Sequence, residues 1–211
     1  MDAATLQGKI YDGYSKAAER IGLATSIFRP ASATTPLASL IGTTFASFTQ
    51  NLEYSKFNKY GNSTWTALHD GSLTTPGDYM INSEGTWFIG AQQLTLPILA
   101  VQCNRVISVL RPTQPTGVGA VGYGGDIVGT EAVLMQGWPA SVLQGSKGEK
   151  NPAGIPGDER LPWWELLFPS FPGVILNTSD VITDDLGRRY IISSPELTDL
   201  GWRIVASMQG A

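Results

Sequence analysis

The side chains able to do acid–base, nucleophilic or metal chemistry are few in this chain. It holds one histidine, His69, and one cysteine, Cys103. His69 stands beside Asp70, and a carboxylate next to an imidazole can orient it for proton transfer. A lone histidine leading into a hairpin more simply packs. Cys103 lies within the apolar run Leu96–Leu110 with no base nearby in sequence, so it reads as a core residue rather than a nucleophile. One of each excludes an internal disulfide and an ordinary Cys/His zinc site within one chain. Asp180, Asp184 and Asp185 cluster, but the alternating ligands and closing Glu of a calcium loop are missing. In a hairpin turn these carboxylates cap backbone donors. Gly117-Val-Gly119-Ala-Val-Gly122 spells a dinucleotide fingerprint, yet a Pro-rich loop precedes it and Tyr-Gly-Gly-Asp follows where a helix should begin. There is no phosphate-cradling Gly-Lys-Ser/Thr and no Gly-x-Ser-x-Gly elbow. The expectation is a chain with no catalytic, cofactor-binding or metal residues, and not an enzyme. A hydrolase built on two carboxylates is the catalytic alternative.

The side chains that stand out instead are large and contact-forming. Trp163 and Trp164 are adjacent in Pro162-Trp-Trp-Glu-Leu-Leu-Phe168. They suit either a sugar-stacking platform or one core and one interface contact, and the second reading is taken here. Arg188-Arg189 is the longest basic run. Together with Tyr123 and Asp126 in the glycine-rich stretch, these six form the candidate assembly-contact residues.

The elements that must position them are mostly strands. One stretch occurs twice. Gly71 to Gly90 and Gly173 to Ile192 superpose without a gap: Gly71 on Gly173, Asp78 on Asp180, Gly85 on Gly187, Phe88-Ile89 on Tyr190-Ile191. Each reads as strand, polar turn, strand, with an aromatic-aliphatic pair on the return. Asn104-Arg-Val-Ile107 and Gly201-Trp-Arg-Ile-Val205 are expected to close the two halves. A period near a hundred residues is too long for a solenoid and fits two related small β-domains.

Ahead of them, Leu6, Ile10, Tyr14, Ala17 or Ala18, and Ile21 fall on one helical face, with Asp2 as N-cap and Gly22 as stop. Gly8 and Gly13 each cost such a helix about 1 kcal/mol relative to alanine, so it needs docking to persist. Short strands are expected at Ser26–Arg29, ended by Pro30, and at Thr64–His69, with 37–48 undecided between helix and strand and 51–60 a loop or edge ribbon. Residues 111–129, rich in Gly and Pro, mark the clearest boundary. The expected organisation is a helix at 1–22, a first β-domain at 23–112, a linker or extended loop at 113–129, and a second β-domain at 130–211. The fold class is mainly β: two related small barrel- or sandwich-like domains with an N-terminal helix.

Composition agrees. The 211 residues include 24 glycines and 13 prolines, and 42% are hydrophobic. Only 15% are charged, against about 25% in an ordinary soluble domain. That deficit fits a surface solvated through Ser, Thr, Asn and Gln or one covered by other subunits, and the second reading is taken here. A net charge of −4 argues against a nucleic-acid binder, which needs clustered Lys and Arg. No apolar run reaches the roughly 20 residues of a membrane span, and the start lacks a secretory signal.

The segment Gly77-Asp-Tyr-Met-Ile, its glycine turn, Thr86-Trp-Phe-Ile and the closing Asn104-Arg-Val-Ile-Ser-Val resemble small β-barrel proteins of the tailed-bacteriophage neck. Ser179-Asp-Val-Ile-Thr-Asp-Asp-Leu-Gly-Arg-Arg-Tyr-Ile-Ile is similar in the same way. From Leu6-Gln-Gly-Lys-Ile-Tyr to Leu197-Thr-Asp-Leu-Gly-Trp-Arg, the wider sequence is similar to structural proteins of proteobacterial phages and prophages. The resemblance implies a non-enzymatic virion protein forming a homo-oligomeric ring between head or portal and tail. Its partners would be copies of itself, portal or adaptor and tail proteins, and DNA would slide through the lumen without specific binding or membrane contact. It would be assembled in a bacterial cytoplasm and end in the virion. Two hairpins depart from a one-barrel stopper protein, so a tail-tube, nozzle or baseplate component is the alternative, and a carbohydrate-binding module the second.

Overall fold

The computed structural model describes residues 2–50, 61–113, 130–145 and 163–209. It comprises one helix and twelve strands in two closed six-strand barrels. The helix α1 (Ala3–Ile21) begins where expected, with the Asp2 carboxylate accepting from Thr5 N at 2.8 Å, and ends as Gly22 N–H donates to the Ala18 carbonyl at 2.7 Å. Its buried face differs from the apolar stripe in the sequence. Gln7 and Ala18 are buried with Tyr11 and Tyr14 against the core, whereas Leu6 and Ile21 are exposed. The reason is a specific dock: Gln7 Oε1 accepts from Thr95 N, and the Tyr11 ring lies on Gly71 so closely that a Cβ there would come within 2.4 Å of it.

The first barrel contains β1 (Leu23–Phe28), β2 (Leu40–Thr49), β3 (Thr64–Leu68), β4 (Tyr79–Asn82), β5 (Gly85–Ala91) and β6 (Ile98–Cys103). The second contains β7 (Arg105–Arg111), β8 (Ala132–Gln144), β9 (Trp163–Phe168), β10 (Val181–Asp184), β11 (Arg189–Thr198) and β12 (Gly201–Met208). Neighbours run β1-β2-β3-β6-β5-β4 around the first and β7-β8-β9-β12-β11-β10 around the second, all antiparallel. The two orders are the same topology. Register carries the match residue by residue: Phe28 opposite Tyr79 corresponds to Leu110 opposite Val181, and Trp65 opposite Ala100 to Trp164 opposite Ala206. Mainly β, two related barrels and one N-terminal helix is therefore the architecture.

Two details of the repeat are corrected by the pairing. The first hairpin closes with Asn82 opposite Gly85, while the second closes through Asp184 N–H donating to the Arg188 carbonyl, with Gly187 at φ 75° in the turn. The second turn is one residue longer, a left-handed glycine completing it. The true counterpart of Tyr190 is therefore Trp87, and the ungapped superposition fails beyond the turn. Nor do Asn104–Ile107 and Gly201–Val205 play equivalent roles. The strand β12 closes the second barrel, but β7 opens it.

The change of sheet falls at Asn104, ahead of the glycine-rich stretch expected to be a linker. Strand β7 pairs with β8 and β10, so 112–131 connects two strands of the same barrel. Asn104 replaces a linker with a clamp. Its N–H donates to the Ala140 carbonyl at 3.0 Å, and its side chain donates to the Val142 carbonyl and accepts from Val142 N.

The interiors explain the strand pattern. Ile27, Ala46, Ala67, Met80, Trp87, Ile89, Ile98 and Ala100 fill the first barrel. A larger cluster fills the second and continues outward to Tyr79, Phe88 and Val101 on the outer wall of the first. Burying these apolar faces at roughly 25 cal/mol per Å² joins the barrels into one body. No helix among the described residues is long and apolar enough to cross a membrane.

Candidate functional site

Two ion pairs with buried carboxylates hold the barrels shut. The seam between β1 and β4 is only three residue pairs long, Ser26–Ile81 to Phe28–Tyr79. Just past its end, Arg29 reaches Asp78: Nε to Oδ1 at 2.8 Å and a terminal nitrogen to Oδ2 at 2.6 Å. The second barrel repeats this clasp at the end of the β7–β10 seam, where Arg111 donates twice to Asp180, both at 2.8 Å. In each, the carboxylate side chain is almost wholly buried, 2% and 3% exposed. Each also accepts from a backbone N–H three residues earlier, Thr75 and Asn177. Fork-to-carboxylate geometry with a second donor set is the strong form of a charged hydrogen bond. The hydrogen bond to the carboxylate, outweighing desolvation, raises each guanidinium above its ordinary range.

Sequence reasoning found Asp78 and Asp180 only as landmarks of a repeat, and missed both arginines. The signal was present: Phe28-Arg29-Pro30 and Leu110-Arg111-Pro112 end equivalent strands. The partners lie 49 and 69 residues downstream, so only knowledge of the seam connects them.

The junction between barrels is the other polar construction. Tyr79 Oη donates to the Pro139 carbonyl at 2.8 Å, and Trp138 Nε1 donates to the Ala33 carbonyl at 2.6 Å. Their rings meet edge to face at 6.1 Å, and Gln136 N–H also donates to Ala33. Burial pushes the Tyr79 phenol well above its ordinary value. Cys103 packs against this junction, and desolvation pushes its thiol up, away from the thiolate a nucleophile needs.

The remaining chemical candidates take structural positions. His69 is fully buried, with Nε2 at 2.7 Å from Thr74 Oγ1, and burial lowers its pKa to about 4. Gln92 donates to the same Thr74 hydroxyl at 2.5 Å. The buried imidazole is neutral at pH 7. Asp184 caps Leu186 N and Arg188 N and accepts from Tyr190 Oη at 2.9 Å, as expected for a turn carboxylate. Among the described residues no group of three His, Cys, Asp or Glu side chains could hold a metal ion.

Of the six assembly candidates, four are described. Trp164 meets Tyr190 edge to face at 5.5 Å, and the Arg188 guanidinium stands 5.8 Å over its ring. This duplicates Trp65 against Trp87 in the first barrel, at 6.4 Å. Trp163 is half-buried beside Gly145, and Arg189 pairs with Glu131 and Gln209. Trp163 and Trp164 lie on β9 and Arg189 on β11, with β12 between them, and Arg188 sits in the turn before β11. The half-buried Trp164 meets Tyr190 and Arg188 of its own chain. Tyr123 and Asp126 lie outside the described residues. Compared with known proteins, the chain matches no family model, no curated protein and no solved structure at a significant level.

Proposed function

We propose that this chain is a mechanical part: a non-enzymatic building block of a tailed-phage virion that forms a homo-oligomeric ring in the neck, between head or portal and tail. The observation that carries the reading is the duplicated barrel. Two copies of one topology are joined through a single clamped residue and a shared apolar core, giving a stiff block rather than two domains on a tether. Two of its ion pairs close seams, its histidine is buried, and its thiol packs half-buried against the core. Such a block suits identical subunits meeting by heterologous contacts that close at the particle's rotational symmetry. The low charge content supplies apolar contact area, and the net negative charge keeps DNA from adhering to a lumen. The resemblance of the hairpin segments to neck proteins supplies the location.

The test is multi-angle light scattering of the purified chain, alone and with portal and tail proteins of the same particle. The expected result is a monomer or weak oligomer alone and a ring-sized species with partners. A monomer in both conditions overturns the proposal.

A further inference from the structure

The internal repeat identifies a surface whose counterpart in the same chain is already a docking site. Register places β2 of the first barrel on β8 of the second. Leu23 opposite Ala46 matches Arg105 opposite Ala140; Ala24 opposite Phe45 matches Val106 opposite Pro139; Thr25 opposite Thr44 matches Ile107 opposite Trp138. On β8 this stretch carries another barrel. Gln136 N–H and Trp138 Nε1 donate to Ala33 of the first barrel, Tyr79 donates to Pro139, and the Trp138 ring fills the space between.

On β2 the same stretch lies open. Leu40, Ile41 and Phe45 are 56%, 42% and 48% exposed, whereas Pro139, the counterpart of Phe45, is buried. Gly42 and Thr44 stand where Met135 and Trp138 fill the second barrel. Beside this stretch an open cavity of about 260 Å³ lies between strand and helix, lined by Ser15, Glu19, Ala24, Thr43, Thr44 and Phe45. Neither β1 nor β2 contains a charged residue. A contiguous exposed apolar patch of this kind marks a site of association.

We propose that β2 is a self-association surface: a barrel of a second copy of this chain seats on Leu40–Phe45. The occupant is inferred from the molecule's own interface, since the one partner known to fit this module's second strand is another barrel of the same kind. The inference stands on the repeat alone and does not require a place in a virion.

The experiment is sedimentation velocity on the full chain without other proteins, up to roughly 1 mM, where a weak contact of about −4 kcal/mol becomes populated. The expected result is concentration-dependent self-association that Phe45→Glu weakens about tenfold or more, as when a central apolar anchor is replaced by a charge. Thr43→Arg, at an exposed outward position, gives the same loss by an independent route. Leu197→Glu, an equally exposed apolar site on β11, leaves association unchanged. Circular dichroism confirms that each variant is folded. A wild-type chain that stays monomeric throughout, or association indifferent to both β2 substitutions, overturns the proposal. Failure of ring formation with portal and tail proteins, with β2-dependent association intact, would refute only the neck assignment.

Discussion

Replacing Arg29 with alanine tests how much of the first barrel depends on its seam clasp. The substitution removes two charged hydrogen bonds and leaves the Asp78 carboxylate, 2% exposed, with only the Thr75 amide and hydroxyl as donors. Breaking a fully buried ion pair from one side costs about 3–5 kcal/mol. The Arg29 side chain is itself 46% exposed, so water screens part of the interaction and can enter the gap. The expected loss is therefore about 2–3 kcal/mol, between the surface and buried limits. For a chain of this size that lowers Tm by roughly 4–12 °C. Urea unfolding followed by tryptophan fluorescence measures it, since Trp65 and Trp87 report the first barrel. The decisive comparison is the double variant Arg29→Ala with Asp78→Ala. With the unpaired charge gone, its loss should be clearly smaller than the sum of the singles, a coupling of at least about 1 kcal/mol. Arg111 and Asp180 should behave the same way. A loss under about 0.5 kcal/mol for Arg29→Ala, or strict additivity, would refute the idea that the clasp closes the barrel.

His69 gives a pH signature. Its folded pKa is depressed from 6.5 to about 4, so the unfolded chain takes up the proton first, and stability complete above pH 6.5 is lost as pH falls towards 4. At about 1.4 kcal/mol per pH unit the His69 share approaches 3 kcal/mol; unfolding free energies across that window should show it, and His69→Gln should remove it. Ser179 and Gly77 occupy the same place in the two repeats with φ of 73° and 93°. Relieving a left-handed non-glycine residue, Ser179→Gly should stabilise by about 1 kcal/mol and Gly77→Ser should destabilise by a similar amount; thermal melts of both decide it. Tyr79→Phe leaves the Pro139 carbonyl without its 2.8 Å donor and should cost about 1–2 kcal/mol. In wild type, absorbance titration should show one tyrosine that ionises only on unfolding.

What the sequence disclosed was local. Asp2 and Gly22 bound a helix because capping is decided within four residues, and the hairpins at 79–91 and 181–198 follow from turn residues between apolar strands. What it hid was pairing at a distance. The run from Leu96 to Leu110 reads as one or two strands with no break marked, and one residue, Asn104, divides it between barrels. No turn chemistry marks the site, because the asparagine side chain supplies the missing backbone partners. The glycine- and proline-rich stretch beyond Arg111 carries every mark of a linker but connects β7 to β8. The helix turns Tyr14 and Ala18 inward as their spacing indicates, but a polar residue, Gln7, replaces Leu6 on the buried face for one hydrogen bond from Thr95. Of the six candidate contact residues, Trp164 and Arg188 meet within one barrel, a proximity their sequence separation does not reveal.

Cryo-electron microscopy of phage particles produced from a genome encoding this chain addresses its proposed role without intermediaries. The expected result is a closed ring of identical copies at the head–tail junction, each copy showing two six-strand barrels joined at Asn104. Particles that lack the chain, or that carry it singly and away from the axis, would contradict it.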